Sequence, residues 1–279
     1  MSNTQWEADG VRSVRRALAI LRAFGPADRG LPLGEIARRA ELDKATTRRL
    51  LRTLMVESLI TQAGNNRDYS LSAGVLALSG GATPVDKLRY RAQSLLASIA
   101  QSTGATAFIV VPQNGFALCI ESMAGAWDAP PPVAIGVRLP FNLSSAPRVL
   151  LAHLPTKERA DVLALPFPAV TPTTPTDPRE LAARADIIRA RGWEASMGHV
   201  VEGISGLAVP VHDSNDQVIA AIGIAGPDAM ILDGGEPRHL DLLLSRVRNW
   251  EAELPHDELW APDPRPHVSL MAEDLRRSL

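Results

Sequence analysis

The sequence predicts an α+β chain in two parts, a small helical head followed by a larger domain built on an antiparallel sheet. Three observations carry that reading. Within the first 80 or so residues apolar side chains recur at i, i+3, i+4 and i+7, the period of one helix face. From Thr106 the pattern changes to short β-branched runs around turn formers such as Asn114-Gly115, the signature of strands. Strands then stand both before and after a helical stretch, which suits an antiparallel sheet with helices packed on it. At 279 residues the chain is long enough for two domains with cores of their own.

The head spans residues 10–81, after a disordered tail at 1–9. Val11 to Phe24 is an amphipathic helix with Val14, Ala17, Leu18 and Leu21 on one face and Arg12, Arg15, Arg16 and Arg22 elsewhere, stopped by Gly25-Pro26. Leu33, Ile36, Ala37 and Ala40 mark a second helix. Glu41-Leu42-Asp43 then break the period, and the Asp43 carboxylate suits the free N–H groups of a new helix start. In that third helix Thr47, Leu50, Leu51 and Leu54 face inward. At about 100° per residue Ala45, Arg48, Arg49 and Arg52 fall on the opposite side.

Two short helices, a tight turn and a cationic outer face read as a helix-turn-helix. Guanidiniums reach phosphates and the O6/N7 edge of guanine, and Ala45 is small enough to lie against a thymine methyl. Three arginines on a helix are, alone, no more than a solvated face. The next residues strengthen the case. Leu59 to Gln62 and Tyr69 to Leu71 form two short strands around Gly64-Asn65-Asn66, a β-wing with Arg67 near its tip. A short helix at Val75 to Leu78 precedes Gly80-Gly81.

The second domain is entered through a linker helix, residues 82–102, which doubles as its first helix. Strands follow at Ala107 to Val111 and Phe116 to Glu121, then a loop, Gly125 to Pro132, holding Trp127, and a third strand at Val133 to Leu139. Ser145 to His153 is a helix capped by Ser144 or Ser145, with Pro147 tolerable in its first turn. Pro166 to Pro178 is loop, and Arg179 to Arg191 is a helix ended by Gly192. Ile204 to His212 and Gln217 to Gly226 are strands around Asp213-Ser214-Asn215-Asp216, and Glu236 to Leu254 closes a domain of residues 103–255. The tail, 256–279, is proline-rich with a short helix at Leu270 to Arg277.

Composition narrows the function classes. Hydrophobic residues at 46% and charged residues at 22% describe an ordinary globular protein. The single cysteine, Cys119, excludes an intrachain disulfide framework and a cysteine-rich zinc site, and points to a buried residue in a reducing compartment. Met1 to Gly10 lacks signal architecture and no apolar run reaches spanning length, so a cytoplasmic protein without a membrane partner is expected. Asn142-Leu143-Ser144 fits a glycosylation sequon, which means nothing without secretion. Residues 1–80 carry twelve Lys and Arg against eight Asp and Glu, a net +4; the remaining 17 basic and 23 acidic residues give −6. A basic head on an acidic body fits a DNA-binding module joined to a different sort of domain.

The residues also match a known pattern. Ser13-Val14-Arg15-Arg16-Ala17-Leu18, then Glu35 to Ala40, then Leu42-Asp43-Lys44-Ala45-Thr46-Thr47-Arg48-Arg49-Leu50-Leu51 resemble the head of the IclR family of bacterial transcription factors. The likeness resumes at Gly136 to Pro140, Arg189 to Trp193, Glu202-Gly203, Ala208 to Val211 and Gly226-Pro227, and covers about residues 10–255. It implies a winged helix-turn-helix joined by a helix to a GAF-like effector-binding domain. It also implies a homodimer, in many members a dimer of dimers, on palindromic double-stranded operator DNA near a catabolic operon. By this resemblance Lys44 and Thr46 join Ala45, Arg48, Arg49, Arg52 and Arg67 as DNA-contacting residues. The family's reading helix usually opens Pro-Lys-Ser-Thr; here Asp43 and Ala45 replace the Pro and Ser, which removes one hydroxyl contact and shifts weight to Arg48 and Arg49.

The same resemblance implies a small-molecule site from three pieces: Asn142, Ser144, Ser145 and Ala146 at a helix N-terminus suited to a carboxylate; the loop from Ser196 to Glu202, with His199 where the family often has an acid; and Ser205 and Gly206 with Gly223 and Ala225. Gly206, Gly223 and Ala225 stand where members that bind small hydroxy- or keto-acids tend to have Cys or Ser. A roomier, less polar pocket for an aromatic or otherwise larger acid is therefore expected. His199 reads either as a structurally satisfied side chain or as a cationic or hydrogen-donating group for an anionic effector. Ser205 reads equally as a strand residue satisfied by backbone.

An enzyme must be tested against the same residues. Ser144, Ser145 and Cys119 are the candidate nucleophiles, and His153, His199 and His212 the candidate bases. No nucleophile elbow, phosphate loop or paired-histidine metal spacing accompanies them, so no catalytic residue, metal or cofactor is expected. A winged-helix docking module, or a small-molecule-binding enzyme without a regulatory role, stays open as the alternative.

Overall fold

The computed structural model describes residues 11–25, 28–62, 67–79, 84–113, 115–127 and 133–254. The chain divides into two compact units, residues 1–83 and 84–279.

In the first unit α1 (Arg12–Arg22), α2 (Leu33–Arg39) and α3 (Lys44–Val56) precede β1 (Ile60–Gln62), β2 (Tyr69–Leu71) and α4 (Gly74–Ser79). Its core joins Ala19, Ile20 and Ala23 of the α1 end to Ile36, Ala40, Leu51, Leu54 and Ile60. The apolar face expected on α1 is thus only half inward: Val14 and Leu18 stay 55% and 43% exposed, because the buried side of that helix runs through Ala19 and Ile20 instead. Asp43 caps α3, accepting from the Thr46 N–H at 2.8 Å. Thr47 is a polar residue on the inner face made harmless by donating its hydroxyl to the Asp43 carbonyl at 2.9 Å. β1 and β2 pair antiparallel from Ile60–Leu71 to Gln62–Tyr69, and Leu31 bridges Tyr69 on the other side. The turn at Gly64-Asn65-Asn66 lies outside the described residues.

The second unit runs α5 (Pro84–Thr103), β3 (Thr106–Gln113), β4 (Phe116–Met123), β5 (Arg138–Leu139), α6 (Ser145–His153), α7 (Thr156–Leu163), α8 (Pro178–Arg191), β6 (Glu194–Met197), β7 (Ile204–His212) and β8 (Val218–Pro227). It ends with α9 (Asp228–Ile231), β9 (Leu232–Asp233), β10 (Glu236–Pro237) and α10 (Leu240–Glu251). The six-stranded sheet has the order β5-β4-β3-β8-β7-β6, with every neighbouring pair antiparallel. Strand period two sorts its side chains. Ile109, Val209 and Ile222 pack under α5 and α10 with Leu96, Ile99 and Leu243. Phe108, Ala208, Ala221 and Ala225 face the opposite layer, where α6 and α8 supply Val149, Leu150, Leu181 and Ile188.

Several elements differ from the sequence expectation. The strand over Val133 to Leu139 shortens to Arg138–Leu139: Gly136 sits at φ +85°, and a turn from Val137 N–H to the Ala134 carbonyl interrupts the ladder. The last helix starts at Leu240 rather than Glu236, because Glu236–Pro237 pairs with Leu232–Asp233 in a hairpin. Ser144 does not cap α6 through its side chain; it adopts φ +68°, a left-handed conformation unusual for a residue with a Cβ, and its hydroxyl makes no cap bond. Gly192 ends α8 at φ +77°, as the pattern required. Among the described residues no helix is long and apolar enough to cross a membrane. The tail helix expected at Leu270 to Arg277 lies outside them.

Candidate functional site

The first unit presents a cationic helix face. Lys44, Ala45, Arg48, Arg49 and Arg52 are exposed, Thr46 is half-buried, and Thr47, Leu51 and Leu54 of the same helix are buried. Hydrophobic anchoring of one side of α3 thus fixes which side its guanidiniums occupy. Arg67 is exposed at φ +54°, and its carbonyl accepts from the Gln62 side chain at 2.9 Å, which ties the residue to β1.

In the second unit three hydroxyls converge where Gly206 has no side chain. A Cβ on Gly206 would lie 3.0 Å from Ser145 Oγ, 3.1 Å from Ser196 Oγ and 3.3 Å from Ser144 Oγ. Ser145 Oγ is buried without a hydrogen-bond partner among the described residues. Beside them lies a cavity of about 20 Å³, edged by Leu139, Ser144, Ser196, His199, Gly206 and Ala225. That is room for about one water molecule.

The other expected site residues take different places. Asn142 is fully buried, and its amide donates to the Pro168 and Pro175 carbonyls at 2.9 Å each, pinning the loop before α8 while its Oδ1 stays unpartnered. Ala146 is core in α6. Ser205 Oγ donates to Asp228 Oδ1 at 2.7 Å, so its partner is a side chain rather than backbone. Glu202 is exposed. The volume that Gly223 gives up is filled, not open. A Cβ there would lie 2.8 Å from Phe108 Cζ, so the ring of a fully buried phenylalanine takes the space expected to enlarge the pocket.

A charged cluster that the sequence reading missed backs this region. Arg148 of α6 is fully buried; its Nε donates to Glu194 Oε1 at 3.0 Å and its Nη1 to the Asn142 carbonyl at 3.0 Å. Glu194, also fully buried, takes Arg184 Nε at 3.0 Å and Arg191 Nη2 as well. The signal available was an arginine alone inside a run, 141–150, that is otherwise uncharged and wholly buried. His199 Nδ1 lies 2.9 Å from Arg148 Nη1 and can only accept there. Burial, then the charges of Arg148 and Arg184, hold the imidazole down to about 4. It is therefore neutral near pH 7 with its proton on Nε2. Of the two ligand-binding forms expected for this histidine, the cationic one does not fit its surroundings. Thr171 and Thr173 donate to the Gly198 carbonyl and Thr174 to that of His199, which anchors the loop carrying the histidine. Burial pushes the Cys119 thiol up to about 12, far from a usable nucleophile.

An exposed cationic reading helix beside a wing, and a separate α+β unit enclosing a polar-ended cavity, define a DNA-binding regulator with an effector domain. The chain belongs to the IclR family: the profile of the IclR helix-turn-helix domain matches residues 13–64, and that of the bacterial transcriptional regulator IclR C-terminal domain matches residues 82–251. Among its relatives, the glycerol operon regulatory protein of Streptomyces griseus is 29% identical over 250 residues, covering 90% of this chain and 97% of that one. The protein of the same name from Streptomyces coelicolor is 30% identical over 231 residues, 83% and 91% of the two chains. The crystal structure of an IclR regulator from Alicyclobacillus acidocaldarius superposes with a TM-score of 0.72 at 27% identity, covering 87% of this chain and 98% of the other. An IclR homologue from Microbacterium hydrocarbonoxydans, complexed with 4-hydroxybenzoate, shares the fold with a TM-score of 0.71 at 22% identity over 86% and 96%.

Proposed function

We propose that this regulator binds a palindromic operator as a homodimer and releases or remodels it on sensing a small organic acid. The observation that supports the acid is the unpartnered Ser145 Oγ, a buried hydroxyl at a helix start, next to two further hydroxyls and a glycine. Leaving such a group unpaired costs on the order of 1–3 kcal/mol, so a ligand that accepts its hydrogen gains disproportionately. The cavity is small, so ligand entry requires the loop of residues 198–204 to yield. The side chains proposed to meet the ligand are those of Ser144, Ser145 and His199, with Gly206 and Ala225 as wall. Asn142 serves as a loop support.

DNA contact is assigned to Lys44, Ala45, Thr46, Arg48, Arg49, Arg52 and Arg67. Dimerisation is supported by Val14 and Leu18 on α1 with Val11 at its N-cap, three exposed apolar residues, since such a stripe suits a partner better than water. Relatives named for glycerol operons make a polyol the second reading, because three clustered hydroxyls also suit one.

The experiment is selection of binding sites from a random DNA pool with the full chain, followed by fluorescence anisotropy of the selected site with benzoate or glycerol added. A two-fold symmetric consensus whose affinity changes tenfold or more with benzoate supports the proposal. A response to glycerol alone transfers the site to a polyol, and failure to enrich any palindrome refutes the operator reading. Gly206→Ala, which crowds all three hydroxyls, should blunt the ligand response while leaving DNA selection intact.

A further inference from the structure

Ser196 and His199 also line a second and larger cavity, of about 370 Å³. That volume is in the range of small-molecule sites, whereas the first cavity has room for about one water. Its charge is uneven. Arg148 and Arg184 stand on its wall, and with Arg191 they share the single carboxylate of Glu194, leaving a surplus of two positive charges in a cluster in which Arg148 and Glu194 are buried and Arg184 and Arg191 partly exposed. Arg184 gives Glu194 only its Nε; its two terminal nitrogens have no partner among the described residues. Glu180 is the acid on the same wall; it and Arg184 are both exposed to water and salt, while Arg148 acts from the low-dielectric interior. The same positive field is part of what keeps His199 unprotonated. The same lining includes apolar Leu181, Met197 and Leu232.

We propose that this cavity is a second ligand site, which takes a small monocarboxylate with an apolar body. The carboxylate pairs with the free end of Arg184, and the body lies among Leu181, Met197 and Leu232. Because Ser196 and His199 border both cavities, occupation of one bears on the shape of the other. The proposal rests on the cluster around Glu194 and not on what the first cavity binds.

Calorimetry of the full chain with benzoate as probe, and benzamide as its uncharged counterpart, tests it. Wild type is expected to bind benzoate and to discriminate against benzamide at least tenfold. Arg184→Gln should weaken benzoate by about tenfold or more, the loss of one charge-assisted contact. Met197→Trp, at a position 56% exposed and so tolerant of change, should block the cavity by bulk. Absence of benzoate binding, equal affinity for benzamide, or benzoate affinity unchanged in both Arg184→Gln and Met197→Trp would each overturn the proposal. Selection of the palindrome needs no ligand, so failure here leaves the operator reading untouched, and a benzoate response of the selected DNA that survives Arg184→Gln belongs to the first cavity alone.

Discussion

Arg148 and Glu194 form an ion pair with almost no access to water, and each is held by further bonds. A buried pair of this kind is weak evidence for stability, but breaking it from one side is costly, because the remaining charge keeps its desolvation penalty. Glu194→Gln would leave three guanidiniums facing one neutral amide, and should destabilise the second unit by about 3–5 kcal/mol in chemical denaturation. His199 adds a pH signature. Its folded value of about 4 lies below the ordinary 6.5, so between these values the unfolded chain binds a proton that the folded chain does not. Stability from this residue is therefore full above pH 6.5 and falls as pH drops toward 4. His212 has the opposite sign: its bond to Glu251 raises its affinity for a proton, so its contribution is present below 6.5 and fades as pH rises through the folded value. Urea titrations from pH 4 to 8 should show His199→Gln losing less stability on acidification than wild type. An unchanged profile would mean that the imidazole is not held neutral.

At the scale of elements, α3 is the test of how far a sequence carries. Its inner and outer faces, its Asp43 cap and its partner helix follow from spacing alone, since a seven-residue period on a short helix admits one buried side. Arg48→Ala and Arg49→Ala should each weaken specific DNA binding by about 1–3 kcal/mol in footprinting, the worth of a bidentate base contact. Arg67→Ala should lower affinity evenly across sequences and reduce the salt slope by about one. The large antiparallel sheet was legible from β-branched runs around turn formers, but a continuous apolar run such as Ala107 to Val111 does not say which layer Phe108 or Ile109 faces. What escaped were contacts set by tertiary packing. Spacing showed neither that Phe108 fills the space above Gly223 nor that Glu194 gathers arginines from α6 and α8. The inward side of α1 was also ambiguous, because apolar residues lie on two of its faces and only packing chooses between them.

For the whole molecule, the division of charge has a measurable result. The +4 of residues 1–80 and the −6 of the remainder oppose each other near DNA. Long-range attraction is thus weak, and affinity must come from close contacts, which the proposed dimer makes twice. Light scattering of the full chain at micromolar concentration should give twice the chain mass. Val14→Asp with Leu18→Asp should return it to one and abolish binding to a two-half-site operator while sparing the fold.

The contact between Phe108 and Gly223 also matters for anyone who would retune this protein as a biosensor. The ring sits against the glycine with Leu207 carbonyl 3.2 Å from the same point, so neither residue can be varied alone. A mutant library that randomises position 223 by itself would be searched almost entirely through misfolded clones. One that varies 108 and 223 together, trading ring for side chain at constant volume, keeps the sheet packed while changing the wall. Position 225, an alanine on the smaller cavity's own edge, can be screened independently. The useful unit of diversity here is a pair, even though 115 residues of sequence separate its members.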